Sequence, residues 1–323
     1  VPTRAAHAQG VRLAEEFIRR YLQDHGDWPS GVIVDLWGSA TMRTAGEEFA
    51  MALHLLGVRP VWKEGTERVS GFEILPLPLL DRPRIDVTLR VSGLFRDVFP
   101  SLSGLYQQAV EALAERPETP DWNPYMASSE TARIYGPAPG SYGLGMGAAA
   151  EQFSDAGRQA AADAWLEASS YALNAEGSFQ DKEGIQNRVA QADSFIHLQD
   201  LPETDLLLSA DYAAHEAGFA AAKAVVGGQA ALYHIDNTNP DTPAARSLSE
   251  EIARVVYARA SNSGWLAGMQ RHGFRGAAEI AATLMHMAAF ASLAGVVGSQ
   301  LFDSYHDATL GDEAIVQFMA THN

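Results

Sequence analysis

The sequence predicts an α/β fold, in which an N-terminal part built on a parallel sheet precedes a mainly helical part with few short strands. Two observations lead to this prediction. In the first third of the chain, short apolar runs alternate with amphipathic helical stretches, as in a parallel sheet covered by helices. Farther along, helical periodicity dominates. A length of 323 residues predicts about two domains, and we expect them at 1–118 and 119–323.

The elements of the first part follow from apolar spacing and from glycine positions. Side chains spaced as on one helix face predict the first helix: Val11, Ala14, Phe17, Ile18, Tyr21 and Leu22. The elements expected after it are a strand at 31–37, a helix at 44–56 that Gly57 ends, strands at 60–62, 71–77 and 84–91, and a helix at 102–116. The strand at 84–91 alternates polar and apolar residues and is the clearest of these.

The second part begins after a stretch rich in proline and polar residues at 116–124. A connector at 136–147 contains five glycines and two prolines. Ser247 and Glu250 form a capping-box pattern, which predicts a helix to about residue 260. A second helix is predicted from an apolar stripe at helical spacing: Ala277, Ile280, Ala281, Leu284 and Ala288.

Composition excludes several classes of function. The chain has 23 basic and 40 acidic residues and a net charge of −17, which argues against binding to nucleic acid or to an anionic membrane. It has no cysteine, which excludes disulfides and thiolate metal sites. The longest apolar run, 284–297, is too short to span a bilayer. No targeting segment is visible, so we expect a cytoplasmic protein. The chain begins with valine rather than methionine, which suggests a processed chain or a piece of a longer one.

Two common catalytic motifs are missing. The glycines at 143–147 are followed by Ala148 rather than by the lysine and hydroxyl residue of a P-loop. We therefore expect a flexible loop there and no ATP hydrolysis by this chain. The Gly-x-Ser-x-Gly pattern of serine hydrolases does not occur either.

Several short segments concentrate side chains that bind metals or move protons. His197, Asp200 and Glu203 lie in one such segment and could hold a divalent metal or accept protons, although a solvated acidic turn is the alternative interpretation. His234 and Asp236 stand at the end of an expected strand, where sites often form in α/β folds, or simply cap the loop.

Two further candidates are single features. His272 precedes an expected helix, whose N-terminus would keep its imidazole neutral, but a surface histidine is the alternative. Phe95 and Arg96 could meet a flat ligand and its carboxylate, or could pack their loop onto the sheet.

Five segments together resemble a known family, and the longest two read RPRIDVTLRVSGLFRDVFP and WLAGMQRHGFRGA. The segments are 36–38 with 42–48, 57–62, 71–74, 82–100 and 265–277. They are similar to the large subunit of aerobic cobaltochelatase, the CobN type, and more distantly to the large subunit of magnesium chelatase. The resemblance covers nearly the whole chain, but members of that family are several times longer. It implies that this chain is a C-terminal portion of such a subunit.

The function implied by this resemblance is insertion of a divalent metal into a tetrapyrrole. In the cobalt branch, Co²⁺ enters hydrogenobyrinic acid a,c-diamide on the aerobic route to cobalamin. The large subunit holds macrocycle and metal, while two smaller partners, one of them an AAA+ ATPase, supply ATP hydrolysis. That division of labour agrees with a chain that lacks a P-loop.

The resemblance also implies roles for individual residues. It implies His272 as the proton acceptor or a metal ligand, with Asp200 and Glu203 assisting. The residues implied to contact the macrocycle are Glu47, Phe95, Arg96 and Tyr142, and those implied to bind metal are His197, His234 and Asp236. The chain departs from the family pattern at 208–213, 237–239 and 298–301, mostly by loss of polar side chains. These losses leave open a magnesium-inserting relative, a tetrapyrrole carrier without insertion activity, and a structural interface for the ATPase partners.

Overall fold

The computed structural model describes residues 1–127 and 132–322 and confirms the predicted α/β class. Within these residues, ten strands form one eight-stranded sheet and a separate two-stranded ribbon. The strands are β1 Gly31–Leu36, β2 Val58–Trp62, β3 Val69–Ile74, β4 Asp86–Val91, β5 Ile134–Gly136, β6 Tyr171–Asn174, β7 Gly177–Gln180, β8 Ser194–Gln199, β9 Ala231–Asp236 and β10 Ala244–Ser247.

The helices cover this sheet and form the C-terminal part of the chain. They are α1 Arg4–His25, α2 Gly38–Thr44, α3 Glu47–Leu56, α4 Leu77–Leu80, α5 Gly93–Val98, α6 Pro100–Ala114, α7 Asp155–Glu167, α8 Lys182–Gln191, α9 Ala210–Tyr212, α10 Gly218–Val226, α11 Leu248–Val255, α12 Ser263–Met269, α13 Gly273–Ala294, α14 Ser299–Ala308 and α15 Glu313–His322. Short 3₁₀ turns lie at Pro124–Ala127, Gly147–Glu151 and Gln270–His272, and π-helical turns at Ala213–Ala217 and Val256–Ala260.

The large sheet runs in the order β10-β9-β8-β1-β4-β5-β6-β7. Its five central strands, β9 to β5, are parallel, and the three outer strands pair antiparallel. Strand β1 lies between β4 and β8, so strands from both sides of residue 118 share one sheet. The two predicted parts are therefore joined through a common sheet, and their division at 118 stays a prediction about folding units.

Each face of the sheet carries its own hydrophobic core. One face of β1 places Val32, Val34 and Leu36 against helices α1, α3 and α6. The opposite face places Ile33 in a core formed mainly with the helices that follow residue 154. Because helices cover both faces of the sheet, the polar as well as the apolar residues of β4 are buried from Val87 to Val91. Polar side chains on this second face therefore lie inside the molecule.

Three predicted elements differ from the structure. The helix expected at 44–56 is two helices, α2 and α3, because Ala45 and Gly46 both have positive φ, 56° and 91°. The strands expected at 60–62 and 71–77 pair with each other as the β2–β3 ribbon outside the main sheet. The stretch 197–205, interpreted as a ligand-rich segment or an acidic turn, begins inside the buried strand β8 and leaves it after Gln199.

The helices predicted in the second part are confirmed. Ser247 caps α11, and Glu250 completes the capping box. The apolar stripe lies on α13, which belongs to a helical stretch, Ser263–Ala294, that is long and apolar enough to cross a membrane by length and composition alone. A positive φ of 54° at Gly273 interrupts this stretch, and Ile280, Met287 and Phe290 on it are core residues. A helix buried in a protein core can be equally long and apolar, so length and composition alone do not indicate a membrane span here.

Candidate functional site

Four ionisable side chains form a row across four neighbouring parallel strands. Arg90 on β4 pairs in register with Asp35 on β1, Asp35 with His197 on β8, and His197 with His234 on β9. All four are buried, at 3% exposure or less. They share one sheet face because side chains alternate along a strand. Each lies within two residues of the carboxyl end of its strand, the edge at which α/β folds place their sites.

Asp35 is the centre of this row. Its Oδ2 accepts hydrogen bonds from Trp37 Nε1 at 2.7 Å and His197 Nδ1 at 3.1 Å, and it lies 3.0 Å from His215 Nδ1. Burial would raise the pKa of Asp35, but His215, His197 and Arg90 hold that pKa well below its ordinary value. A carboxylate can only accept, so the Nδ1 of His197 carries a proton. The Nδ1 of His215 lies beside the carboxylate and also 3.2 Å from the donors Trp37 Nε1 and Arg90 Nη1.

His215 and Glu216 come from the π-helical turn Ala213–Ala217. Such turns are rare and frequently occur at functional sites. This one directs His215 to Asp35 and the next residue, Glu216, to His234. The pKa of His215 is lowered by burial and by the nearby charge of Arg90, against the opposing effect of Asp35. His215 is therefore a neutral imidazole at pH 7.

His234 is held on both sides. Its Nδ1 lies 3.0 Å from Glu216 Oε1, and its Nε2 lies 2.9 Å from Gln199 Oε1. Burial lowers the pKa of His234, but Glu216 outweighs burial and the net shift is upward. Both ring nitrogens are engaged, so neither is free to bind a metal in this arrangement.

A cleft of ≈ 230 Å³, here called the Trp37 cleft, opens beside this row. Trp37 and the exposed loop residue Tyr142 provide its aromatic surface, and His215 its imidazole. The Tyr142 hydroxyl donates to Asp97 at 2.6 Å. The lining residues are Trp37, Ser39, Ser92, Gly93, Leu94, Tyr142, Gly143, Asp211 and His215. The cleft thus combines a flat apolar surface with one neutral base.

The predicted acidic residues lie around the carboxyl edge of the sheet, outside the row. Asp200 follows β8 and accepts two hydrogen bonds from Arg43, at 2.7 and 2.9 Å. Glu47 begins α3 and accepts from Asn237 at 2.6 Å. Burial raises the pKa of Glu47, and the carboxylate of Asp200 adds to that shift. Glu203 is exposed in the turn after Asp200.

Phe95 and Arg96 contact neighbouring protein groups and do not line the Trp37 cleft. Phe95 is fully buried, with ring centroids 5.4 Å from Phe99 and 6.4 Å from Phe49, so no face is left for a flat ligand. Arg96 donates to Asp97 and to three backbone carbonyls of the glycine-rich connector, those of Pro137, Ala138 and Ser141. The contacts of Phe95 and of Arg96 support the alternative interpretation, in which these residues pack their loop onto the sheet.

The remaining predicted residues are not brought together. His272 is exposed and lines a different cleft of ≈ 250 Å³ with Met269, Arg275 and Glu279. Asp236 accepts from the Thr238 hydroxyl at 2.7 Å and pairs with Arg246. Across 1–127 and 132–322, no three His, Asp or Glu side chains are grouped to hold a metal ion.

The sequence nominated two members of the row, His197 and His234. It did not indicate the other two, Asp35 and Arg90, or the partners Trp37, His215 and Glu216. A signal did exist for one of them. Asp35 is the single charged residue of the apolar strand β1, and burial of an unpaired charge is too costly to be accidental. The π-helical turn has no comparable signal, because His215 and Glu216 stand in an ordinary helical pattern.

Comparison with known proteins covers the whole chain. The family model described as CobN/Magnesium Chelatase matches residues 1–323. The chain is 40% identical to "Aerobic cobaltochelatase subunit CobN" of Sinorhizobium sp. and 41% identical to the protein of the same name from Pseudomonas aeruginosa. These matches span 100% of this chain but 27% and 28% of those proteins. Identity to a magnesium-chelatase subunit of Rhodobacter capsulatus is 26%, over 100% of this chain and 28% of that protein.

A solved structure agrees with these matches. The catalytic subunit of cobaltochelatase from Mycobacterium tuberculosis superposes with a TM-score of 0.95 at 33% identity, over 100% of this chain and 29% of that one. The chain thus spans less than a third of the length of these relatives. Because the family model and the relatives both match from end to end, the chain belongs to the CobN/magnesium chelatase family.

Proposed function

We propose that this chain is a portion of the large subunit of an ATP-dependent cobaltochelatase, which binds tetrapyrrole and metal. The reaction proposed is insertion of Co²⁺ into hydrogenobyrinic acid a,c-diamide during aerobic cobalamin biosynthesis, in the cytoplasm. The observation that carries this proposal is the 40–41% identity to two cobaltochelatase subunits along the whole chain, against 26–27% for the magnesium-chelatase relatives.

The Trp37 cleft is the proposed contact with the macrocycle. Its ≈ 230 Å³ is below the roughly 300–1,000 Å³ of pockets that enclose a whole ligand. One edge of the macrocycle would therefore enter, against Trp37 and Tyr142. Gly93 lets the loop that carries Tyr142 pack closely against α5, because a Cβ at this position would lie 2.5 Å from Ser141 O and 2.9 Å from Tyr142 Cδ1.

The acidic residues at the carboxyl edge are proposed to attract the metal that is the second substrate. Glu47, Asp200 and Glu203 supply oxygen ligands of the kind that hydrated divalent cations accept. Asp200 is oriented by Arg43, and Glu47 lies near enough for the Asp200 charge to raise its pKa. His272 lies in its own cleft, so we assign it no step at the Trp37 cleft.

The energy source is proposed to lie in partner subunits. No P-loop sequence occurs in this chain, and its family relatives carry names of subunits. An AAA+ ATPase and its co-subunit are the proposed partners. A net charge of −17 gives the chain an acidic surface for them.

Tryptophan fluorescence tests the proposed contact with the macrocycle. The chain, which has six tryptophans, would be titrated with metal-free hydrogenobyrinic acid a,c-diamide and, separately, with a porphyrin. Saturable quenching selective for the corrinoid supports the cobalt reaction, whereas preference for the porphyrin favours a magnesium-inserting relative.

Two variants localise the quenching. Trp37→Phe should remove much of it, while Trp122→Phe, at an exposed tryptophan away from the cleft, should not. Equal quenching in both variants would contradict binding at the Trp37 cleft. Failure of the intact parent subunit, with both partners and ATP, to metallate any tetrapyrrole would contradict the proposed reaction itself.

A further inference from the structure

We infer that His215 is the catalytic residue that accepts the inner N–H proton of the macrocycle, and that Asp35 is the positioning residue that turns its Nε2 toward the Trp37 cleft. The inference rests on the proposed function and deepens it. It moves the proton-accepting role from His272, which the family resemblance implied, to a side chain that no sequence pattern indicated.

The orientation of His215 follows from its neighbours. Its Nδ1 lies 3.0 Å from Asp35 Oδ2 and 3.2 Å from Oδ1, and the donors Trp37 Nε1 and Arg90 Nη1 each lie 3.2 Å from the same nitrogen. Because the carboxylate is the nearest group and Trp37 donates to that carboxylate at the shorter distance of 2.7 Å, we assign the imidazole proton to Nδ1. Nε2, on the other side of the imidazole, then carries the lone pair. Within the described residues no group hydrogen-bonds to this Nε2. Because His215 lines the Trp37 cleft, its free lone pair is available to a bound ligand.

The two histidines of the row itself, His197 and His234, do not meet these conditions. His234 has both nitrogens engaged, by Glu216 and Gln199. His197 shares Asp35 with His215 but is not among the residues lining the cleft. Of the three, His215 alone combines an oriented proton on Nδ1 with a position on the cleft wall.

The groups facing His215 come from several elements. Asp35 on β1 accepts its Nδ1 proton, and the guanidinium of Arg90 on β4 lies 3.2 Å from that nitrogen. His197 on β8 adds a weaker electrostatic effect, and Asp211 on α9 lines the same cleft. Burial and Arg90 lower the pKa of His215 while Asp35 opposes them. A neutral imidazole results, which can take a proton and then release it to solvent.

The proton transfer needs only His215, Asp35 and water. A pyrrole N–H bond breaks, its proton forms a new bond to His215 Nε2, and its electron pair stays on the pyrrole nitrogen and binds the metal. The imidazolium is stabilised by the carboxylate of Asp35 until the proton passes to water. A metal-free corrin carries one inner N–H, so one proton leaves for each Co²⁺ that enters, and the metal–ring core keeps one positive charge.

The test uses the full parent subunit with both partners, ATP, Co²⁺ and hydrogenobyrinic acid a,c-diamide. His215→Ala should lower kcat by about 10²–10⁴-fold, the usual contribution of a general base, with the Kd for the macrocycle within a few-fold. Added imidazole should then restore kcat at least about tenfold. Pyrazole, which has nearly the same size but is a far weaker base, should not.

A second variant tests the role of Asp35. Asp35→Asn should lower kcat without raising KM, and imidazole should rescue the double variant with His215→Ala less well than the single one. His306→Ala is the matched control, because His306 is an exposed histidine beside Asp307 and touches neither cleft.

Three results would overturn the inference. They are equal rescue by pyrazole, no rescue by imidazole in a variant that still binds the macrocycle, and wild-type kcat in His215→Gln. If His215→Ala misfolds and no longer binds the macrocycle, His215→Gln replaces it as the test. A reduced kcat with an unchanged Kd for the macrocycle would then support His215 as the proton acceptor. An inactive wild-type parent is a different outcome, because it contradicts the proposed function whatever His215 does.

Discussion

Asp35 and Arg90 face each other across the neighbouring strands β1 and β4, and Arg90 Nη1 lies 3.6 Å from Asp35 Oδ1. Both side chains are buried. The remaining donors of Arg90 go to Ser169 Oγ at 3.2 Å and to the carbonyl of Ala168 at 3.3 Å. The pair therefore brings opposite charges together inside the sheet face, and it holds the carboxylate that the Nδ1 atoms of His197 and His215 contact.

Replacing Arg90 should destabilise the chain strongly. Arg90→Met leaves the carboxylate of Asp35 buried without its cation, and such a loss costs about 3–5 kcal/mol. Urea denaturation would measure the free energy of unfolding. The matched control is Arg19→Met at an exposed pair with Glu16, where a change of about 1 kcal/mol or less is expected. If both variants lost the same free energy of unfolding, the buried pair would contribute no more to stability than the exposed pair.

The buried Glu48 should make stability fall with rising pH. Burial raises its pKa above the ordinary 4.5, so the folded chain keeps a proton that the unfolded chain has released. The free energy of unfolding therefore decreases from about pH 4.5 upward to the raised pKa, by about 1.4 kcal/mol per pH unit across that interval.

Glu48→Gln should flatten that part of the stability curve, because the amide does not titrate. Denaturation at a series of pH values measures the effect. Glu115→Gln, an exposed residue at the end of α6, is the control and should keep the wild-type slope. Parallel curves for wild type and Glu48→Gln would contradict the raised pKa.

Gly38 should not tolerate a side chain. A Cβ there would lie 2.4 Å from Phe95 N and 2.8 Å from Leu94 C, both backbone atoms. Gly38→Ala should thus cost about 1–3 kcal/mol and displace α2 from α5 beside the Trp37 cleft. The contrasting variant is Gly104→Ala within α6, where the nearest contact is an ordinary 3.5 Å. That change should stabilise by about 0.5–1 kcal/mol, so thermal melting should move in opposite directions.

His234 should contribute stability that depends on pH. Its raised pKa in the folded chain comes from Glu216. The contribution is complete below the ordinary histidine pKa of 6.5 and is lost as pH rises through the raised value. His234→Gln should therefore destabilise most in acid solution and progressively less in alkaline solution.

The control for this pH dependence is His306→Gln at an exposed histidine, which should change stability little at either pH. Chemical denaturation on both sides of the raised pKa provides the comparison. A loss that is the same at every pH would assign His234 a packing role only.

The sequence was a sound guide wherever structure follows from local pattern. The first helix, strands β1 and β4, the capping box of α11 and the apolar stripe of α13 were all predicted from spacing and end signals. The strand β8 was not predicted, because His197 and Gln199 alternate with apolar neighbours just before an acidic turn. Local pattern there could not tell a half-polar buried strand from a loop.

For the candidate site, the sequence by itself determined the family resemblance and nominated His197, Tyr142 and His234. Only the tertiary structure decided which groups meet. Asp35 and His215 are separated by 180 residues, and their contact depends on the register of β1 with its neighbours and on a π-helical turn. Register and inter-element contacts are properties of the assembled sheet, whereas periodicity and capping belong to each segment alone. That is why the elements could be predicted from sequence and the arrangement of charges between them could not.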